Sequence, residues 1–205
     1  MVKAGRYRGT EKPMEVSDRE LLTRYRGGQV DALEVLIEKY RRPLFGFIVN
    51  MIQGRDEADE VFQEVWLRVI RNHEKYKHGN FCGWLVRIAH NVIIDRSRKK
   101  KPDVSLDEEK GEGLSLGQVI PGNEPGPANR LAGRDLGVRI TRAVNSLPPD
   151  QKEVFLMRVQ ADMSFKDISR AQKVSINTAL ARMQYALGKL RAVLEDDYQE
   201  LGKTE

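Results

Sequence analysis

Cysteine is nearly absent: Cys82 is the only one in 205 residues, so no internal disulfide can form. With only three histidines, His73, His78 and His90, the chain has too few soft ligands for a structural zinc site, and no metal or other cofactor is implied. Long apolar runs are also missing. The stretch from Leu44 to Ile52 contains a glycine and an asparagine and falls far short of the roughly 20 residues that cross a bilayer. Membrane-spanning helices are therefore excluded. Lys3, Arg6, Arg8 and Lys12 are followed by no apolar segment, so residues 1–16 do not read as a secretory signal, and the expected location is the cytoplasm. Strand-like alternation is absent too, which leaves an all-α class: two small helical domains joined by a flexible linker.

What is present is charge, unevenly placed. The net charge is +5, yet residues 68–101 alone carry ten basic and two acidic side chains, while 15–67 and 102–133 are each net acidic by four. A block more positive than the whole chain is the footprint of a surface that meets a polyanion.

Helical spacing organises the first block. Ser17-Asp18-Arg19-Glu20 has the capping-box pattern, so a helix begins near Asp18 and ends at Gly27-Gly28. Leu33, Leu36, Ile37 and Tyr40 continue the periodicity from Asp31, and Leu44, Phe45, Ile48 and Met51 extend it past Pro43, which is expected to kink or divide the segment. A third segment, Asp56 to Asn72, aligns Ala58, Val61, Phe62, Val65 and Val69. A fourth, about Phe81 to Lys99, aligns Leu85, Ile88, Ala89, Val92 and Ile93.

Prolines, glycines and acids fill 102–133, which cannot bury enough apolar surface to offset backbone entropy and reads as a linker long enough to hold its flanks tens of ångströms apart. Beyond it, Asp135 to Asn145 is helical, and Leu147-Pro148-Pro149-Asp150 starts the next helix with proline in its first turn. Ser164 caps a short helix to about Gln172, a turn follows at Lys173-Val174, and Ser175 caps a longer helix to about Glu195. Two helices so joined form a helix-turn-helix. The resulting segments are a basic arm (1–16), a first helical domain (17–101), the linker (102–133), a helix-turn-helix domain (134–194) and a tail (195–205).

Two kinds of nucleic-acid chemistry follow. The N-terminal part of the second helix of such a motif enters the major groove, which makes Asn177, Thr178 and Arg182 candidates for reading base edges; helix capping and a plain surface charge are the alternatives. In the first domain, Tyr76, Lys77, His78, Gly79, Asn80, Phe81 and Trp84 precede Arg87, Asn91, Arg96 and Arg98. That mixture of rings, amides and cations suits single-stranded DNA, although Phe81 and Trp84 equally suit a core. The acidic helix carrying Asp59, Glu60 and Glu64 would repel DNA and should face protein or solvent.

Three ordered stretches carry a resemblance. Asp56 to Arg68 (DEADEVFQEVWLR), Phe81 to Asp95 (FCGWLVRIAHNVIID) and Leu147 to Phe155 (LPPDQKEVF) with the helix-turn-helix through Arg191 resemble the extracytoplasmic function sigma factors, promoter-recognition subunits of bacterial RNA polymerase. The resemblance implies a non-enzymatic transcription factor that works with core polymerase and promoter DNA, duplex and melted, and takes no small-molecule substrate. It places Asp59, Glu60, Gln63, Glu64 and Leu67 against the clamp coiled coil of the largest subunit, and the second domain near the flap. It gives the loop at His78, Gly79 and Asn80 a flipped base, and sets Phe81, Trp84, Arg87, Asn91 and Arg98 along the melted minus-ten strand. Ser175, Asn177, Thr178, Arg182 and Tyr185 fall on the minus-thirty-five duplex. Most such factors are held by an anti-sigma partner, though no segment here identifies one. Lys173 stands where the family often has a turn glycine, and Leu180 and Tyr185 stand where it often has basic residues. An autonomous helix-turn-helix regulator is the rival reading; it lacks support from dimerisation heptads. A helical enzyme lacks a nucleophile or metal cluster beside its histidines.

Overall fold

The structure, a computed structural model, describes residues 16–52, 54–76, 79–99 and 137–201. The expected basic arm and linker lie outside the described residues, except for Val16 at the arm's end. Every regular element among the described residues is helical.

Packing divides the chain into one unit through Leu36 and another from Ile37 onward. In the first, α1 (Asp18–Arg26) starts where the capping box places it: the Glu20 N–H donates to Ser17 Oγ at 3.3 Å. It stops at Gly27, followed by Gly28 at a φ of 91°, a conformation that glycine adopts without strain. Leu21, Leu22, Ala32, Leu33 and Leu36 are its buried apolar residues.

Helix α2 (Asp31–Met51) runs unbroken through Pro43. The sequence suggests a kink or division there, but the turn after the proline buries Leu44, Phe47 and Ile48 completely. Burial of three such side chains is worth several kcal/mol, which offsets the missing backbone hydrogen bond, a loss of roughly 3 kcal/mol in a helix interior. Helix α3 (Arg55–Asn72) buries Val61, Val65 and Val69 at successive four-residue steps, and packs on α4 (Phe81–Lys99), which buries Leu85, Val86, Ala89 and Val92. A 3-10 turn, His73–Lys75, follows α3.

After a helical segment over 137–145 (α5) come α6 (Pro149–Val159), α7 (Phe165–Gln172) and α8 (Ile176–Leu201). The helix-turn-helix boundaries agree with the reading of the sequence. Ser164 Oγ accepts from the Asp167 N–H, and Ser175 Oγ from the Thr178 N–H. Helix α8 continues past the expected end near Glu195 to Leu201, since neither glycine nor proline intervenes before Gly202. The turn departs from the familiar glycine without losing its shape: Lys173 takes the left-handed conformation (φ 56°), and the Val174 N–H closes onto the Ser169 carbonyl at 3.0 Å. A side chain in that conformation costs on the order of 1 kcal/mol. Lys173→Gly is therefore expected to raise stability by up to about 1 kcal/mol in a thermal melt; a lower melting temperature would show that the lysine makes a compensating contact.

The two helical blocks also touch. Helix α4 packs against α7.

Candidate nucleic-acid interface

On α3, Asp59, Gln63 and Leu67 recur every four residues and all are exposed, Leu67 by 51%. They form one stripe opposite the buried valines. Glu60 and Glu64 flank it but are partly engaged with α4: Arg96 donates to Glu60 at 2.8 Å and to Glu64 at 3.1 and 3.2 Å. Arg68 adds a bond to Glu64 at 2.6 Å. Burial alone would raise the Glu64 carboxyl; the hydrogen bonds from Arg96 and Arg68 outweigh it and hold the group below its ordinary value. Because the folded-state value is the lower one, this link is fully present above the ordinary carboxylate range and is lost only on acidification through it. The acidic stretch thus divides into an outward stripe and a brace to α4.

Asn80 sets the start of α4. Its Oδ1 accepts from the Gly83 N–H at 2.9 Å, a helix cap that the sequence reading did not assign, although asparagine just before an apolar periodic run is its ordinary signal. Tyr76 donates its hydroxyl proton to the Gly79 carbonyl at 2.6 Å, and Gly79 sits at a φ of 113°, so the loop is tied to the helix entry. His78 lies outside the described residues. Phe81 does not reach the surface: it is 1% exposed, with ring centroids 5.1 Å from Tyr40, 5.0 Å from Tyr76 and 5.6 Å from Trp84. Its expected place along DNA is corrected to the aromatic core beneath the loop. Trp84 is half-buried at the rim of that cluster, while Arg87, Asn91 and Arg98 are exposed along α4. Trp84, Arg87 and Asn91 line a cleft of about 680 Å³, with Arg68 and Lys75 from α3 and the 3-10 turn, and with Asp162 and Asp167 on its far wall. Gly83 is buried inside α4, where alanine would favour the helix by about 1 kcal/mol. A Cβ there would stand 3.0 Å from Met163 Cγ and 3.2 Å from the Asn80 side chain, so a larger residue fits only if those side chains give by a few tenths of an ångström.

On α8, Ala179, Ala186 and Leu190 face the core as their spacing predicts, while Met183 and Leu194 are only part-buried. Ser175, Asn177, Thr178 and Tyr185 are exposed, with Ser175 and Thr178 bonded to each other in the cap at 2.8 Å. Arg182 is not free: it donates to Gln172 Oε1 at 2.8 Å and to Asp150 Oδ2 at 2.5 Å. Leu180 and Tyr185, the two departures, both sit at the surface. Among the described residues no cluster of three or more His, Cys, Asp and Glu side chains could hold a metal ion, and no helix is long and apolar enough to cross a membrane.

This geometry has counterparts in known proteins. Residues 36–102 match the family model for sigma-70 region 2, and residues 137–190 match that for sigma-70 region 4; together they span more than half of the chain. The chain belongs to the extracytoplasmic function (ECF) branch of the sigma-70 family, the promoter-recognition subunits of bacterial RNA polymerase. Among similar sigma factors, SigW of Bacillus subtilis is 27% identical over 89% of this chain and 100% of its own length. The sigma-H factor of Pseudomonas aeruginosa is 24% identical over 81% of this chain and 88% of its own. The fold is similar to that of the sigma factor RpoE of Bartonella quintana, solved with the anti-sigma factor NepR (TM-score 0.61, 18% identity, 80% of this chain and 96% of that one). It is also similar to CnrH, solved with the cytosolic domain of CnrY (TM-score 0.56, 19% identity, 88% and 98%). In sigma-factor terms, α3 and α4 belong to region 2, and α6 to α8 carry region 4.

Proposed function

We propose that this sigma factor acts in the cytoplasm, catalysing no reaction of its own, by dividing promoter recognition between two faces that only core polymerase brings into use together. The region 2 domain, 17–101, docks on the clamp coiled coil through the Asp59, Gln63 and Leu67 stripe. It captures the melted minus-ten strand along Trp84, Arg87, Asn91 and Arg98, with the Gly79 and Asn80 loop holding a flipped base. The region 4 domain, 134–194, sits by the flap and reads the minus-thirty-five duplex through Asn177, Thr178, Arg182 and Tyr185, with Ser175 ordering the helix start. Segments 1–16, 102–133 and 195–205 serve as arm, tether and tail. An anti-sigma factor is the expected regulatory partner.

The observation that carries this reading is the pairing, in order, of an exposed basic and amide face on α4 with an exposed helix-turn-helix entrance on α8. Unstacking bases costs a few kcal/mol, more than one small domain recovers from stacking alone. A second grip on nearby duplex raises the effective concentration of the first. The test is to mix the purified chain with core polymerase and measure co-elution and promoter binding. A stable complex that binds DNA more tightly than either component supports the reading. Tight duplex binding by the free chain with no polymerase complex contradicts it.

Arg182 offers a finer check. Arg182→Ala is expected to weaken binding to the upstream element by roughly 1–3 kcal/mol if the guanidinium makes a bidentate base contact. An unchanged minus-thirty-five preference in a promoter competition assay removes Arg182 from the interface.

A further inference from the structure

The face of α8 that exposes Thr178, Tyr185 and Lys189 also carries Arg182, and an acid stands beside it: Asp150, in the first turn of α6. A carboxylate in that place repels the phosphates of an approaching duplex. Stability is a weak reason to keep it there. The Asp150 side chain is 64% exposed, and ion pairs open to water contribute little.

The hydrogen bonds around Arg182 point to a different use. Gln172, at the end of α7, donates from Nε2 to the Asp150 carbonyl at 3.1 Å and to Glu153 Oε2. Glu153 is buried, and its other oxygen meets His90 Nε2 at 2.5 Å, so both of its oxygens are occupied. With its nitrogen facing two acceptors, the Gln172 amide has to turn its oxygen the other way, toward Arg182, whose Nη1 donates to it at 2.8 Å. The reversed amide would set N–H groups against the donors of the guanidinium. Arg182 Nη2 donates to Asp150 Oδ2 at 2.5 Å. The guanidinium is thus gripped at two nitrogens by groups from α6 and α7, while its other N–H donors stay unused among these bonds.

We propose that Asp150 and Gln172 are positioning residues for sequence readout: they hold Arg182 so that it meets a base edge instead of the nearest phosphate. An unrestrained arginine gives up more rotamer freedom on binding, and it finds a phosphate on any sequence. A held one has its plane set before the duplex arrives, and the charge of Asp150 makes a phosphate a poor neighbour. The base expected opposite Arg182 is guanine, whose O6 and N7 both accept from an arginine in the major groove. Asp150 therefore lowers general affinity for DNA and raises discrimination. The inference rests on the reading of Arg182 as a base reader.

The test uses core polymerase carrying the full chain. A random-sequence duplex pool is enriched by binding and read as base preference at each position, and a mixed-sequence duplex lacking the enriched elements is bound over a salt series. Arg182→Ala is expected to flatten the preference at one position. Asp150→Ala should flatten that same position about tenfold. Its binding to the mixed-sequence duplex should tighten about two- to threefold, with a salt slope steeper by about one, because the released arginine takes a phosphate. Gln172→Met, similar in length but without the amide, should flatten the position too, and Asp150→Glu should restore part of it. In the Arg182→Ala background, Asp150→Ala should change that position no further. Equal loss at every position in Asp150→Ala and Gln172→Met is the mark of a merely structural role and overturns the proposal. If Arg182→Ala flattens a position that Asp150→Ala leaves intact, the positioning role falls and the base reader stands. If Arg182→Ala leaves every preference intact, the base-reading role falls and takes the positioning role with it.

Discussion

Leu67→Asp is expected to abolish co-elution with core RNA polymerase while leaving the melting curve of the chain nearly unchanged. Leu67 is half-exposed on α3, one turn beyond Gln63 and two beyond Asp59, and its neighbours Val65 and Trp66 are buried on other faces. Its side chain therefore contributes little to the core. An apolar residue amid acids and amides on an outward stripe is the usual make-up of an anchor, whose loss costs about 2–4 kcal/mol of binding, roughly a thirtyfold to thousandfold change. A carboxylate there adds desolvation to lost packing. The measurement is a dissociation constant for core polymerase beside a thermal melt; a constant within about twofold of the unsubstituted chain would take the stripe out of the docking face.

Phe81→Ala is expected to destabilise region 2 by about 3–5 kcal/mol, a large part of the total stability of a small domain. The ring is sealed between Tyr40, Tyr76 and Trp84, so truncation leaves a cavity beneath the Asn80 cap as well as removing apolar contact. Phe81→Leu fills most of that space and should retain both fold and transcription. A ring that stacked on a base would behave otherwise: Phe81→Ala would melt at the normal temperature and form fewer open complexes. Thermal denaturation of the two variants, beside permanganate reactivity of promoter thymines, separates the two roles.

The sequence was most legible where local chemistry decides structure. Ser17, Ser164 and Ser175 mark helix starts because a hydroxyl satisfies a free N–H within three residues, and all three caps are present. Pro43 misled because its effect is settled by tertiary burial, which the neighbouring residues do not reveal. Lys173 shows the same limit from the other side: nothing local demands that a lysine adopt the left-handed turn, but the helices on either side fix it.

The candidate site was legible in outline and not in detail. Residue types along α4 pointed to single-stranded nucleic acid, yet Phe81 and Trp84 are alike in sequence and differ in depth, and only packing assigns one to the core and the other to the rim. His90 and Glu153 are far apart in the chain, and no periodicity links them. Arg182 has the position of a base reader, and its ion pair with Asp150 could not be read from spacing within α8.

Run-off transcription by core polymerase on a pool of random promoter sequences, with and without the chain, tests the central claim most directly. The account expects transcripts to start from a restricted set of sequences sharing an upstream and a minus-ten element, and only when the chain is present. The same start sites with and without it would contradict the account.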